Sequence, residues 1–205
     1  MTFVIQDFLD YSQIKADKFR TILKPFNVCQ AVEKVMEIQR HKAKEMNIDF
    51  TCHFRNIKAK GAIQVGEFSP IIVSDEMRLQ QVLLNIQANA LKFTEKGSVR
   101  IEVEIVKVVM DHYLQVSVID TGMGIKEEDK SKLFKLFGFV KDSKNLNSNG
   151  IGLGLMISDM IVTKYNGKIT FDSTFGQGST FSFTFKIDID PNDPFETHAL
   201  LPEKE

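Results

Sequence analysis

One strand that ends in a carboxylate and two closely spaced glycines constrains the fold more than any other part of this sequence. Residues 114–119 alternate apolar and polar side chains, which is typical of a buried or half-buried β-strand. Asp120 follows at once, and Gly122 and Gly124 come directly after it. Glycine lets a backbone turn sharply and lets another group approach it closely. The segment therefore predicts either a ligand-binding turn or an ordinary tight turn, and alone it leaves both alternatives open.

Other periodic segments predict a mixture of strands and helices around this turn. A β-branched run at residues 99–110 predicts the partner strand of a hairpin, with its turn at Asp111 and His112. Further strands are predicted at residues 48–54, 71–73, 168–172 and 179–187, the last two around a turn at residues 176–178. Helices are predicted at residues 1–19, 28–46, 76–93, 126–137 and after residues 150–155 to about residue 164. Asn27 is the expected cap of the second helix, and Ser74 or Asp75 that of the third.

The first helix carries apolar residues at helical spacing, at Val4, Phe8, Tyr11 and Ile14. Its pattern is already running at residue 3 without a capping sequence, so we expect the chain to start inside a longer natural helix. The alternative is a short amphipathic helix that packs on its own domain. A break is expected at residues 23–27, where the residue before a proline resists helix formation.

Composition excludes several classes of protein. The 205 residues are 43% hydrophobic and 26% charged, as in ordinary globular chains. A net charge of -1 gives no electrostatic basis for general binding to nucleic acids or membrane surfaces. No apolar run approaches the ~20 residues of a membrane span. Cys29 and Cys52 lack the spacing of metal ligands, and reduced thiols in a cytosolic domain are favoured over a disulfide.

Three polar residues share one line of the third helix. Asn85, Asn89 and Lys92 stand at i, i+4 and i+7, along the border of its apolar stripe. Asparagine is a mediocre helix former, so two of them one turn apart are unusual. Two alternatives follow. These residues lie on a solvent-exposed side of the helix, or they point into a cleft where they hold a hard cation and anionic oxygens.

A glycine-rich segment precedes the last helix. Gly150, Gly152 and Gly154 alternate with Ile151, Leu153 and Leu155, and the polar residues 138–149 before them predict a mobile loop. Backbone N–H groups at a helix N-terminus suit phosphates. The segment does not follow a strand, and it matches neither the Rossmann nor the Walker pattern well.

Taken in order, these motifs resemble those of a known family. They are Asn85-x-x-x-Asn89-Ala90-x-Lys92-Phe93-Thr94, Asp120-x-Gly122-x-Gly124, Phe134-x-x-Phe137, Gly150-x-Gly152-Leu153-Gly154-Leu155 and Gly176-x-Gly178-Ser179-Thr180-Phe181. The set resembles the catalytic ATP-binding domain of sensor histidine kinases, within the Bergerat-fold superfamily (GHKL ATPases) of gyrase, MutL and heat-shock chaperone ATPases. Residues 7–16 look like the end of the second dimerisation helix of histidine kinases, which favours the kinase branch. The resemblance covers about residues 1–187.

The resemblance implies an α/β fold of the Bergerat type. This fold is a two-layer sandwich, in which a mixed, mostly antiparallel sheet packs against about three helices, here with an N-terminal helical extension. It divides the chain into the end of a dimerisation helix at residues 1–22 and an ATP-binding catalytic domain at residues 23–190, with a lid at about residues 138–150. Residues 191–205 are acidic and contain prolines, which predicts a disordered tail.

The resemblance also implies a role for each motif. Asp120 would accept a hydrogen bond from the adenine amino group, and Asn89 would bind Mg²⁺. Asn85 and Lys92 would lie at the phosphates and are the implied catalytic residues. Gly122 and Gly124 would let the chain approach the base, while the lid glycines would close over the phosphates. The nucleotide-binding residues so implied are Asn85, Asn89, Lys92, Asp120, Gly122, Gly124, Ile125, Phe134, Phe137, Gly150, Ile151, Gly152, Leu153, Gly154, Leu155 and Thr180. Thr180 is equally well an ordinary strand residue.

The implied reaction is transfer of the γ-phosphoryl group from MgATP to a histidine of a dimerisation domain outside this chain. The expected partners are ATP, that domain of the parent protein, a receiver domain of a two-component or phosphorelay pathway, and a second copy of the parent through the N-terminal helix. No nucleic acid is expected. The domain is expected to be cytoplasmic, with membrane attachment of the parent left open. None of the four histidines, His41, His53, His112 and His198, has the sequence setting of a phosphoacceptor.

Departures from the family pattern keep other functions open. The family usually has glycine where Asn149 stands and often a hydroxyl residue where Ile151 stands, and no arginine precedes Gly150 in the lid. The family often has glutamine or arginine in the lid, and here Lys141 or Lys144 would have to take that place. The alternatives are a nucleotide-binding pseudokinase, a relative that hydrolyses ATP to drive a conformational change, and an interaction module without nucleotide. Asn85 stands where a water-activating glutamate would be needed, which argues against hydrolysis.

Overall fold

Seven strands form one mixed sheet in the computed structural model of the chain, which describes residues 2–58, 67–134 and 153–189. The strands are β1 Lys24–Asn27, β2 Ile48–Phe54, β3 Ile71–Ser74, β4 Gly97–Val108, β5 Asp111–Asp120, β6 Ile169–Thr174 and β7 Gly178–Ile189. They lie in the order β1-β3-β7-β5-β4-β2, and β6 pairs with β7. The pair β2–β4 is parallel and the other pairs are antiparallel. β5 therefore lies in the middle of the sheet, with β4 and β7 on either side.

Three of the five described helices cover one face of this sheet. The described helices are α1 Thr2–Lys15, α2 Val28–Glu45, α3 Glu76–Phe93, α4 Glu127–Lys130 and α5 Gly154–Lys164. The side chain of Asn27 caps α2 by accepting from the N–H of Gln30, and Asp75 caps α3 by accepting from the N–H of Arg78. Both caps satisfy N–H groups that lack a partner within the helix. Of the two caps considered for α3, Asp75 is the one that forms.

The core lies between the sheet and α2, α3 and α5. On β4 the alternate residues Val99, Ile101, Val103 and Ile105 are 0–2% exposed. Because successive side chains of a strand point to opposite faces, their neighbours face away from the helices. The same alternation on β5 and β7 buries Leu114, Val116 and Val118 with Phe183, Phe185 and Ile187. The predicted fold class, a two-layer α/β sandwich with a mixed, mostly antiparallel sheet, is confirmed.

The first helix is shorter than predicted, and it packs differently. It ends at Lys15 rather than near residue 19, because the chain turns at Asp17, which adopts a left-handed backbone with φ of 53°. Tyr11 and Ile14 pack against the core, but Phe8 is 62% exposed. Asp10 is fully buried instead. Apolar spacing alone did not identify the inward face of α1, since a carboxylate occupies part of it.

Two connections also differ from the sequence-based expectation. The break expected at residues 23–27 contains β1, which pairs with β3 at the edge of the sheet. Pro25 is tolerated there because an edge strand does not need every N–H group. The β4–β5 turn is at Val109 and Met110, so the prediction of Asp111 and His112 was wrong by two residues. Val109 takes the left-handed conformation, with φ of 58°, where a glycine or asparagine would have marked the turn.

The helix predicted at residues 126–137 is wrong for most of its described length. α4 ends at Lys130, and residues 131–134 form turns. The N–H groups of Lys132 and Leu133 donate to Asp129 and Lys130, three residues back, which is the pattern of tight turns rather than of an α-helix. The rest of that prediction, the lid loop and the C-terminal tail lie outside the described residues.

The remaining elements agree with the predicted ones to within a few residues. Cys29 and Cys52 are free thiols, as predicted. Among the helices that the structure describes, none has both the length and the apolar character needed to cross a membrane.

Candidate nucleotide site

Asp120 is held at the end of the central strand β5 by two backbone donors. Its carboxyl group is buried, with 7% of the residue exposed. Its Oδ1 accepts hydrogen bonds from the N–H of Gly122 at 2.9 Å and of Ser179 at 3.2 Å. No hydrogen bond from the described residues reaches its Oδ2. One oxygen is thus fixed by the protein, which leaves the other as an acceptor for a ligand N–H group.

Burial sets the protonation behaviour of this carboxyl group. Removal from water raises the pKa of Asp120 above its ordinary value, because the charged form loses hydration. The hydrogen bonds from Gly122 and Ser179 oppose that rise by stabilising the anion. A buried carboxylate without a countercharge on its fixed oxygen is costly, and such groups cluster at functional sites.

The glycines after Asp120 are required by the packing of the loop itself. A Cβ on Gly122 would lie 2.3 Å from the carbonyl oxygen of Phe93, at the end of α3. A Cβ on Gly124 would lie 2.1 Å from the carbonyl oxygen of Thr174, and its φ of +63° is also left-handed. The predicted reason for these glycines was access for a base. The structure gives another reason, because protein backbone fills the space that each side chain would need.

The loop joins α3 on one side and the β6–β7 hairpin on the other. The N–H of Met123 donates to the carbonyl of Phe93 at 3.1 Å, and the N–H of Gly176 donates to the carbonyl of Met123 at 2.8 Å. The N–H of Ile125, which is 9% exposed, donates to the hydroxyl of Ser173 at 2.9 Å. Asp120 and the C-terminal end of α3 are therefore parts of one rigid arrangement.

The three polar residues on α3 extend along the helix away from this loop, with Lys92 nearest to it. Asn85, Asn89 and Lys92 are all half-buried. Lys92 Nζ lies 5.1 Å from the centroid of the Phe93 ring. Burial, and to a lesser extent the nearby charge of Lys42, lowers the pKa of Lys92. Since α3 rises ~1.5 Å per residue, Asn85 lies about 12 Å along the axis from Phe93 and the Asp120 loop.

The far end of that line meets the start of α5. The side-chain amide of Asn85 donates to the hydroxyl of Ser158 at 3.3 Å and to the carbonyl of Gly154 at 3.5 Å. Among the described residues, no side-chain hydrogen bond caps the N-terminus of α5 at Leu153. Leu153 and Leu155 are half-buried and pack against the edge of the core. Gly154, which lies in the described part of the glycine-rich segment, and Asn85 are therefore brought together, while Asp120 lies at the other end of α3.

Aromatic rings cover the sheet beside the Asp120 loop. Phe134 lies against Phe171 with ring centroids 6.0 Å apart, and Phe171 stacks on Phe181 at 5.6 Å. By register, Phe181 pairs with Val118, two residues before Asp120. Phe134 thus lies near the carboxylate end of the site.

Thr180 lies on the other face of the sheet. In the register of β5 with β7, Asp120 is opposite Ser179, and Ile119 is opposite Thr180. Paired residues share a face, and the next residue along the strand points the opposite way. This placement favours the alternative that Thr180 is an ordinary strand residue, and it brings Ser179 to Asp120 instead.

The site residues predicted from the sequence did not include two serines that lie near Asp120. Ser179 donates its N–H to Asp120, and Ser173 accepts from Ile125. Counting back in steps of two from the buried Phe183 and Phe185 would have placed Ser179 on the inner face. Counting forward in steps of two from Ile169 and Phe171 would likewise have placed Ser173 on that face. The predicted site residues Phe137, Gly150, Ile151 and Gly152 lie outside the described residues.

A metal in this site would have few protein ligands. Within the described part of the chain, no three His, Cys, Asp or Glu side chains are grouped to hold an ion. Mg²⁺ usually takes one or two protein oxygens and completes its shell with phosphate oxygens and water. The half-buried amide of Asn89 fits that requirement.

Comparison with known proteins places this geometry in a family. Residues 74–189 match the family model described as histidine kinase-, DNA gyrase B-, and HSP90-like ATPase. The chain is 33% identical over 192 residues to the signal transduction histidine-protein kinase BarA of Escherichia coli K12, covering 92% of this chain and 20% of BarA. It is 30% identical over 199 residues to the autoinducer 2 sensor kinase/phosphatase LuxQ of Vibrio cholerae, covering 97% of this chain and 22% of LuxQ. The chain thus spans about a fifth of the length of these relatives.

Solved structures show the same fold. Full-length ShkA in complex with AMPPNP superposes with a TM-score of 0.70 at 26% identity, over 90% of this chain and 35% of ShkA. The catalytic domain of the histidine kinase ThkA, in a nucleotide-free form, superposes with a TM-score of 0.63 at 29% identity. That match covers 80% of this chain and 95% of the ThkA domain.

Proposed function

The chain belongs to the family of histidine kinase-, DNA gyrase B- and HSP90-like ATPases, and we propose that it is the ATP-binding catalytic part of a sensor histidine kinase. It binds MgATP and transfers the γ-phosphoryl group to a histidine of a dimerisation domain outside this chain. The observation that carries the proposal is the pairing of a buried carboxylate at one end of α3 with the N-terminus of α5 at the other.

Asp120 recognises the base in this proposal. Its Oδ1 is held by Gly122 and Ser179, so Oδ2 accepts the hydrogen bond from the adenine amino group. A carboxylate is a strong acceptor, and the bond is stronger in a buried site than in water. A base that presents a carbonyl at this position has no proton to donate. The arrangement therefore favours adenine over guanine.

The phosphates lie toward Asn85 and the start of α5. Lys92 and the N–H groups of the first turn of α5 supply positive charge there. Asn89 holds Mg²⁺, which when bound neutralises charge on the phosphate oxygens. Asn85 positions the start of α5 through its bonds to Gly154 and Ser158. These residues orient the phosphate chain, which is the main requirement of phosphoryl transfer.

In this proposal α1 is the end of the second dimerisation helix. Phe8 and Leu9 are 62% and 47% exposed, which suits contact with another helix of a parent homodimer. The opposite side of α1 is tied to the domain, since buried Asp10 accepts from Arg78 at 2.6 Å and from Gln81 at 2.8 Å. A receiver domain of a two-component or phosphorelay pathway would take the phosphoryl group from the histidine.

Nucleotide binding is tested by thermal unfolding of the chain with and without MgATP. A ligand at a hundredfold excess over its Kd stabilises the folded state by about 2.7 kcal/mol. We expect this stabilisation in the parent chain and its loss in Asp120→Asn, because the amide would present N–H groups to the adenine amino group. The matched control is Asp172→Asn, an exposed aspartate on β6 of the same sheet. No stabilisation of the parent chain would contradict the proposal.

Phosphoryl transfer is tested with a separately supplied histidine-containing dimerisation domain and γ-labelled ATP. The expected product is acid-labile phosphohistidine on that domain, reduced in Asn89→Ala. Normal MgATP affinity without any transfer would identify a pseudokinase instead. Release of free phosphate by the chain alone would identify an ATP-hydrolysing relative.

A further inference from the structure

The hydroxyl of Ser173 lies where the β6–β7 hairpin meets the Asp120 loop. Ser173 is 5% exposed and is paired with Ser179 in the β6–β7 register. Its Oγ is 2.9 Å from the N of Ile125, 3.0 Å from the carbonyl oxygen of Gly178 and 3.0 Å from the Oγ of Ser179. One buried hydroxyl therefore contacts three polar groups on two parts of the site, the loop at Ile125 and the start of β7.

The donors and acceptors of these contacts can be assigned. A serine hydroxyl has one proton and two lone pairs. Ser173 gives its proton to the carbonyl of Gly178 and accepts from the N–H of Ile125. Its second lone pair then accepts from the hydroxyl of Ser179. Every hydrogen-bonding position of Ser173 is used, so its orientation is fixed.

These bonds fix both ends of the loop that carries the carboxylate. At the far end, Ser173 holds Ile125 directly. At the near end it holds Gly178 and Ser179, and the N–H of Ser179 donates to Asp120 Oδ1. Gly178 also packs so closely that a Cβ would lie 2.0 Å from the carbonyl oxygen of Asp120. The direction of the free oxygen of Asp120 therefore depends on Ser173.

We propose that Ser173 is a positioning residue for base recognition, whose hydroxyl holds Asp120 Oδ2 in the direction from which it selects the amino group of adenine. The inference rests on the proposed nucleotide-binding function. Ser173 does not touch the base itself, and its effect passes through Ile125, Gly178 and Ser179.

Base selectivity, rather than affinity alone, tests this role. ATP and purine riboside 5′-triphosphate differ by the 6-amino group, so the ratio of their Kd values isolates the bond to Asp120. In the parent chain we expect the analogue to bind about tenfold or more weakly, the usual effect of a hydrogen bond to a charged acceptor. In Ser173→Ala we expect that ratio to fall by about threefold or more, as for coupled neighbours. The Kd of the analogue should change by less than about twofold.

Two variants and one further measurement complete the test. Ser182→Ala is the matched control, because its hydroxyl bonds Ser117 at 2.8 Å on the outer face of the same sheet and leaves the loop untouched. Ser173→Thr keeps the hydroxyl and should restore the parent ratio. In the parent chain the N–H of Ile125 should exchange slowly with solvent, a result that needs no variant if Ser173→Ala fails to fold.

The outcomes separate this inference from the function on which it rests. If the parent chain binds neither triphosphate, the proposed function and the role of Ser173 both fail. If it binds ATP but Ser173→Ala keeps the parent ratio, only the role of Ser173 fails. An Ile125 N–H that exchanges at an unprotected rate would overturn the role as well.

Discussion

Replacing Gly122 by alanine should destabilise the chain, because the new Cβ would meet the end of α3. That Cβ would lie 2.3 Å from the carbonyl oxygen of Phe93, whereas real Cβ atoms essentially never approach within 3.0 Å. Either the loop or α3 must therefore retreat by about 0.7 Å, which also weakens the bond from the N–H of Met123 to Phe93. Overpacking of this kind costs about 1–3 kcal/mol, and a lost hydrogen bond about 1 kcal/mol. We expect the free energy of unfolding to fall by about 2–4 kcal/mol.

The matched variant is Gly154→Ala, a second glycine of the same candidate site. Its Cβ would lie 3.5 Å from the nearest atom, in Asn85, which is an ordinary contact, and its backbone is not left-handed. Since alanine is the better helix former, we expect a change between zero and a gain of about 1 kcal/mol at the start of α5.

Urea denaturation followed by far-ultraviolet circular dichroism measures both changes, since the chain has no tryptophan for fluorescence. With a slope of ~2 kcal/mol per molar, the midpoint of Gly122→Ala should lie about 1–2 M below that of the parent. A Gly122→Ala variant within about 0.5 kcal/mol of the parent would refute the argument from close packing. So would an equal loss in Gly154→Ala, because the two glycines would then be alike.

Four further predictions concern charged and titratable groups. Burial raises the pKa of Asp120 in the folded chain above the unfolded value near 4, so the folded chain holds this proton more tightly. The free energy of unfolding therefore falls as the pH rises from the unfolded pKa to the folded pKa. In the absence of nucleotide, Asp120→Asn should not lose stability in this way. Urea titrations should therefore show its free energy of unfolding rising relative to that of the parent from pH 4 upward. A difference between the two chains that does not change with pH would contradict the argument. Arg78→Ala removes the cation that lies 2.6 Å from buried Asp10, which costs about 3–5 kcal/mol and should appear first as faster hydrogen exchange in α1. Lys34→Ala, which breaks an ion pair with a 65% exposed lysine side chain, should change stability by less than about 1 kcal/mol. Burial raises the pKa of Cys52 to about 12, so its alkylation at pH 8 should be slow until the chain unfolds, and rapid labelling of the folded chain would be inconsistent with that pKa.

Local sequence patterns were sufficient for most of the elements. The alternation of β4 and the apolar stripe of α3 appear in the structure where they were predicted, because a pattern of period two or 3.6 buries one face only in the matching element. The motif order was also sufficient for the family, since five spaced motifs are shared with it. Asp120, Asn85 and Asn89 were named from these patterns without any knowledge of the sheet order.

Two of the sequence-based predictions failed because distant contacts override local preference. The turn at Val109 and Met110 lacks turn residues, and pairing along β4 and β5 imposes its position. Asp10 is buried because Arg78, 68 residues away, supplies its partner. Spacing along α1 contains no information about that partner.

The sequence by itself determined which residue types the candidate site contains: a carboxylate after a strand, a polar line on a helix and glycines before another helix. Only the tertiary structure decided how they are used. It placed Ser179 and not Thr180 beside Asp120, because the register of β7 against β5 sets the face of each side chain. It also showed that residue 122 has to be glycine because the carbonyl oxygen of Phe93 occupies the space that a side chain would need. Such contacts join residues far apart in sequence, so they follow from the sheet order and the packing of α3 rather than from local preference.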